Sequence, residues 1–331
     1  MMCYYSEDNL KFSNRLQAKK YSIENQKDIF YYYNDDVYSK IDWTIEPEGT
    51  IDLHYKMQAQ RIRDEYDYVI LMYSGGYDSS NILEVFHYNN IKLDKIVVTG
   101  PFKQDSHSGV DENHNGEIYK NAFPTLSTLG LDSIVQILDF SDYYSDVKQF
   151  SVYQLEEEWV EHIGGKYSPY HFVFRDIHKF IVPEKYLDKK VAIIWGTDKP
   201  RICYERGRKG FYFTDIQINS YSRFNPPRSS NIENVNFYWD VNYPLILIKQ
   251  LHMIKNGFQK NLVSTIYNLK HPLVYKSPKS PYHVISIRDN FLLNHKDSDI
   301  YKFYQVGIEK IKKSYYINDL SPIKSKFYPI E

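Results

Sequence analysis

The chain has 331 residues, 42% of them hydrophobic, with 41 Lys plus Arg against 42 Asp plus Glu and a formal net charge of −1. That length and apolar content suit one large domain, or a domain with an appendage, and oppose disorder. The charge balance argues against a large basic grip on nucleic acid, and the two cysteines, Cys3 and Cys203, exclude a disulfide framework and a CxxC metal site. No run approaches the roughly 18 apolar residues of a membrane span. The polar start MMCYYSEDN is not a signal peptide, so a cytoplasmic location is expected. The 33 Tyr and 18 Phe accompany abundant Lys, Asn and Ile. An AT-rich genome produces such a set, and the tyrosines are not read as a base-stacking signature.

Residues 1–50 are polar, tyrosine-rich and weakly periodic, and read as an extension of unassigned structure. From Leu53 to Glu65 the sequence lacks Gly and Pro and is good helix material. Val69 to Met72 is a continuous apolar run of strand length, as for an inner strand of a parallel sheet covered on both faces. Gly75 and Gly76 stop it. Successive glycines let the backbone turn sharply and bring amide N–H groups close to an anion. Ser79 and Ser80 are expected to cap the following helix, whose apolar positions Ile82, Leu83, Val85 and Phe86 share one broad face. The N-terminus of that helix would direct its N–H groups at whatever fills the loop.

Lys95 to Gly100 repeats the pattern of an apolar run halted by glycine, so strand, helix and strand imply a right-handed parallel crossover. Residues 101–116 form a polar loop at the carboxyl end of that second strand, where open α/β sheets bind ligands. Its Asp105, His107, Asp111, Glu112 and His114 match neither HExxH nor an EF-hand, and a substrate-side or lid loop is the simpler reading. Glu117 to Leu129 reads as a helix kinked or divided at Pro124, and Ser133 to Phe140 as a third strand. Residues 142–163 and 170–181 read as helical, and Lys190 to Gly196 is a fourth apolar run stopped by glycine. This alternation predicts an α/β fold, a doubly wound parallel sheet from about residue 50 to 200. Domain limits of 51–220 for the α/β unit and 221–331 for a mainly helical region follow, the latter with helices near 244–254 and 299–313 and an extended tail.

Ser74-Gly75-Gly76-Tyr77-Asp78-Ser79-Ser80 lacks the Lys-Ser/Thr ending of a Walker A loop. It resembles the SGGxDS signature of the PP-loop ATP pyrophosphatases, closest to the synthetase domain of asparagine synthetases. The plainer alternative is a Gly-Gly turn with an Asp helix cap. The resemblance implies an adenine nucleotide alpha hydrolase-like fold and an AMP-forming C–N ligase using ATP and Mg²⁺. Ser74, Gly75, Gly76, Ser79 and Ser80 would cradle the β and γ phosphates, and Asp78, with Asp198, would bind Mg²⁺. Backbone groups near Leu71 and Val98 would receive adenine, and Gly196 would line the nucleotide site. The segment before the loop is too short for a glutaminase domain, and Cys3 is read as incidental. Free ammonia, an amine, or a separate ammonia-supplying protein would then serve as nitrogen donor to a small-molecule acceptor.

The cations have a separate physical basis. A helix dipole contributes only about 0.3–1 kcal/mol, up to about 2, too little to hold a leaving pyrophosphate. Lys199 and Arg201, after the fourth strand, are the expected catalytic cations, and Arg206, Arg208 and Lys209 form a loop that either closes over phosphates or is a solvated basic turn. A nucleobase- or tRNA-modifying ligase and a non-catalytic ATP-binding protein stand as alternatives.

Overall fold

A computed structural model of the protein describes residues 4–100, 102, 117–139, 177–196, 200–205, 207–215, 231–259, 299–317 and 323–330. The first fifty residues, unassigned from sequence, build a small antiparallel sheet in which β1 (Tyr4–Ser6) lies between β2 (Lys11–Phe12) and β3 (Ile29–Tyr31). Helix α1 (Arg15–Asn25) starts at Asn14, whose side chain accepts from the N–H groups of Leu16 and Gln17. A short helix α2 (Asp35–Tyr38) and the predicted helix α3 (Ile51–Glu65) follow, α3 capped by Thr50.

The next elements alternate as predicted. Strand β4 (Tyr68–Met72) leads through the glycine loop into α4 (Tyr77–Tyr88), and then to β5 (Lys95–Gly100). A π-helical turn (Ile118–Ala122) runs into α5 (Phe123–Thr128), followed by β6 (Val135–Asp139). The Pro124 division is visible here: proline has no N–H for the helical ladder, and the N–H of Phe123 bonds the carbonyl of Ile118, five residues back. Helix α6 (His178–Ile181) precedes β7 (Val191–Trp195). A hairpin of β8 (Arg201–Glu205) and β9 (Arg208–Tyr212), a strand β10 (Ile232–Asn236), helices α7 (Leu245–Gln259) and α8 (Asp299–Tyr315), and β11 (Tyr328–Pro329) complete the described chain.

The central sheet has five strands in the order β10-β7-β4-β5-β6, and every pair is parallel. The chain therefore moves from β4 outward to β6, returns to the other side of β4, and continues through β7 to β10. Direction of winding reverses between β4 and β7, which is the switch point where open α/β sheets form a crevice. Side chains of β4 divide by the period of two. Val69 and Leu71 join Ile62, Ile82, Leu83, Phe86, Val98 and Ile194 on one face, whereas Ile70 and Met72 join Val97, Ile177, Ile181 and Ile193 on the other. Each fully buried aliphatic side chain contributes about 1.5–3 kcal/mol, so both faces hold the central strand in place.

Two expectations change. The fifth strand, β10, comes from residues 232–236, beyond the boundary at 220, within the region read as mainly helical. Only Ile232 and Val235 of β10 are buried, because it is an edge strand paired on one side with β7. Second, Arg208 and Lys209, read as loop residues, lie in a strand. They belong to β9, register Glu205 opposite Arg208, in an antiparallel ladder in which β9 also pairs with β11. The 142–163 helix, residues 170–176 of the next helix, all of the 101–116 loop except Phe102, and Cys3 lie outside the described residues.

The aromatic residues have a structural use. Tyr33, Tyr38, Trp43, Phe211, Phe213, Trp239 and Tyr328 pack together, with Tyr33 and Phe213 ring centroids 4.3 Å apart and Tyr38 stacked on Phe213 at 5.5 Å. Three tyrosine hydroxyls here find acceptors: Tyr5 and Tyr328 donate to Asp35, at 2.7 and 2.8 Å, and Tyr38 to the carbonyl of Trp239. Arg15 and Asp215 form a fully buried ion pair at 2.5 Å, to which Tyr4 adds a hydroxyl donation of 2.9 Å.

Candidate functional site

The glycine loop sits at the carboxyl end of β4, beside the switch point. Tyr73 extends the strand, its N–H bonding the carbonyl of Val97 at 2.8 Å. Gly75 then takes a left-handed φ of +78°, and a Cβ there would lie 2.5 Å from the carbonyl oxygen of Glu117 and 2.8 Å from the nitrogen of Ala122. Glycine is required twice over, by conformation and by the close approach of the π-helical turn.

Helix α4 begins at Tyr77, ahead of both serines expected to cap it. Gly76 is the N-cap, with no side-chain cap, and Ser79 and Ser80 lie inside the first turns. The Ser79 hydroxyl, buried at 5% exposure, accepts from the N–H of Ser74 at 3.2 Å and donates to the carbonyl of Gly76 at 3.1 Å. It also lies 3.1 Å from the hydroxyl of Ser74, which accepts from the N–H of Gly76. Ser79 thus clasps the loop from beneath, while Ser74 is exposed. Ser80 Oγ lies 3.3 Å from the hydroxyl of Tyr73.

Two other elements fix the first turn of α4. Gly196, immediately after β7, approaches so closely that a Cβ would lie 3.0 Å from both the carbonyl carbon of Asp78 and the nitrogen of Ser79. Tyr238, just beyond β10, donates its hydroxyl to the carbonyl of Asp78 at 2.6 Å and accepts from Asn81 Nδ2 at 3.0 Å. Burial, then the charge of Asp78, pushes the Tyr238 phenol well above its ordinary range, so it remains a neutral donor. Tyr55 of α3 is likewise pushed up, chiefly by burial, and it packs edge-on to Tyr238 at 5.8 Å.

The structure therefore brings Ser74, Gly75, Gly76, Asp78, Ser79, Ser80 and Gly196 to one sheet edge. Leu71 and Val98 lie within β4 and β5, their side chains fully buried in the core and their backbones in the parallel ladder. Arg201 opens β8. Asp198 and Lys199 lie outside the described residues. Tyr238 and Glu117 escape the sequence reading; Pro124, which forces the π-helical turn, is the only local signal for the latter.

The fold and site define a class: an α/β protein with a five-stranded parallel sheet and a glycine loop at its switch point. No protein-family model matches the chain, and no curated protein matches it in sequence. Among the described residues no helix is long and apolar enough to cross a membrane, and no group of three or more His, Cys, Asp or Glu is placed to hold a metal ion.

Proposed function

We propose that the protein binds ATP at the 74–80 loop and is an AMP-forming ligase of the PP-loop ATP pyrophosphatase type, similar to asparagine synthetases. The observation that carries this reading is the position of the SGGYDSS loop: after the central strand, at the β4/β7 switch point, with Gly196 packed on the first turn of α4. The strand order, read by appearance, is 3-2-1-4-5, the order of doubly wound nucleotide-binding sheets.

The residues fit the ligand. A left-handed glycine and an uncapped glycine N-cap leave backbone N–H groups at the helix mouth, a cradle suited to phosphate, with the Glu117 carboxylate beside it. Ser74 would add a hydroxyl, and the Ser79 clasp would hold the loop's shape before binding, so that little ordering is needed when phosphate arrives. Asp78 would hold Mg²⁺ together with Asp198, and the ion would neutralise phosphate charge. Lys199 and Arg201 would supply further positive charge toward the leaving pyrophosphate. The chemistry is adenylation of an acceptor oxygen with release of pyrophosphate, then attack by ammonia or an amine with release of AMP. The chain's work is positioning and charge neutralisation.

The test is to incubate α-labelled ATP with Mg²⁺ and a panel of carboxylates and amines. AMP and pyrophosphate are the expected products, lost in Asp78→Ala while the fold survives. ADP as the sole product would end this reading, and ATP binding with no turnover on any acceptor would favour a non-catalytic nucleotide-binding protein.

A further inference from the structure

Glu117 stands where an anion-binding loop would not be expected to tolerate it. A Cβ built on Gly76 would lie 3.5 Å from each of its carboxylate oxygens, so the whole carboxylate edge borders the loop at the N-cap of α4. Its backbone is fixed there: the Glu117 carbonyl packs under Gly75, and the residue opens the π-helical turn that Pro124 imposes. Neither a hydrogen bond nor an ion pair joins the carboxylate to any described residue. Burial raises its pKa, with no countering partner. Asp78 lies in the adjoining first turn of α4, so a phosphate on this loop would meet two acidic side chains.

We infer that Glu117 is a specificity residue for the charge state of the ligand: it opposes a bare polyphosphate on the 74–80 loop and admits one that carries a divalent cation. The inference rests on the nucleotide-binding reading above. A phosphate seated over Gly76 would bring negative charge close to a carboxylate in a half-buried setting, where screening by water and salt is weak. A cation bound to the phosphates changes the sign of that encounter, because carboxylate and phosphate oxygens both suit Mg²⁺. Glu117 therefore acts through the balance of charge at the loop and needs no role in bond making.

The experiment measures dissociation constants by calorimetry for ATP in EDTA and for ATP with excess Mg²⁺, using the parent, Glu117→Gln and Glu117→Ala. Glu117→Gln keeps the side chain's shape and breaks no hydrogen bond to a described residue, and thermal unfolding checks each variant. The parent is expected to prefer Mg-ATP. Both variants are expected to bind metal-free ATP about tenfold more tightly than the parent, with no gain for Mg-ATP, so that the preference falls by that factor. If the parent binds Mg-ATP and the preference in both variants stays within about twofold of it, Glu117 has no such role while the nucleotide reading stands. If the parent binds neither form of ATP, both are overturned together.

Discussion

Replacing Gly75 with alanine separates the two reasons for glycine in the loop. At φ +78° an L-residue pays about 1–2 kcal/mol in backbone energy. The new methyl would also lie 2.5 Å from a backbone oxygen of Glu117 and 2.8 Å from a backbone nitrogen of Ala122, atoms that cannot rotate away. Overpacking of this kind costs about 1–3 kcal/mol, so Gly75→Ala should destabilise by about 2–5 kcal/mol in all. Gly130 supplies the control. Its φ is +66°, but a Cβ there has nothing within 4 Å, so Gly130→Ala should carry the backbone cost alone, about 1–2 kcal/mol. Both changes restrict the unfolded chain equally, and that contribution cancels in the comparison. Urea unfolding followed by tryptophan fluorescence, with linear extrapolation, gives the two values. Agreement between them within about 0.5 kcal/mol would refute the claim that the loop rests on the π-helical turn.

Two further outcomes test the surroundings of the site. Tyr238→Phe removes one donated and one accepted hydrogen bond at the first turn of α4, and should cost about 1–2 kcal/mol in thermal or urea unfolding and weaken ATP binding; unchanged affinity would limit Tyr238 to a purely structural part. Burial alone would raise the Asp94 carboxyl, but hydrogen bonds from Lys92, Arg63 and the N–H of Val69 outweigh it and hold the carboxyl below its ordinary value of 3.8. The stability it confers is present above that value and disappears as pH falls through the lower, folded-state value. Asp94→Asn should therefore destabilise at pH 7 and narrow its gap from the parent in acid; a gap independent of pH would deny the ionic contribution.

The strands nearest the site were legible because their signal is local. Val69 to Met72 and Val191 to Trp195 are buried on both faces, so every residue is apolar, and the glycines that stop them mark the loops. Strand β10 gave no such signal. Ile232-Glu-Asn-Val-Asn236 is half polar, as an edge strand permits, and its place in the sheet is set by β7, forty residues away in sequence by a rough count. The first fifty residues were opaque for another reason. Their core side chains are tyrosines such as Tyr4, Tyr31 and Tyr38, whose polar tips mask an apolar periodicity, and the carboxylates that satisfy such tips, Asp35 and Asp215, read as surface residues. Ser79 was read as a cap because serine in that position commonly is one; the closure of its hydroxyl onto Gly76 and Ser74 depends on three-dimensional loop geometry.

The seam that joins residues 15–35 to Asp215, Lys324 and Tyr328 bears on how the molecule is made. The N–H of Tyr31 bonds the carbonyl of Lys324, Asp35 receives the hydroxyl of Tyr328, and Arg15 is neutralised by Asp215. On a ribosome the first helix and its aromatic neighbours emerge early, yet the carboxylate that neutralises Arg15 follows 200 residues later and the tyrosine that covers Asp35 follows it by 293. The central sheet can begin to assemble from consecutive strand-helix units in the meantime, whereas closing the seam must wait until Asp215, Lys324 and Tyr328 have emerged. Until then a row of tyrosines and an unmatched arginine remain open to solvent, and nascent molecules held close together on one message have a ready opportunity to exchange these segments with each other.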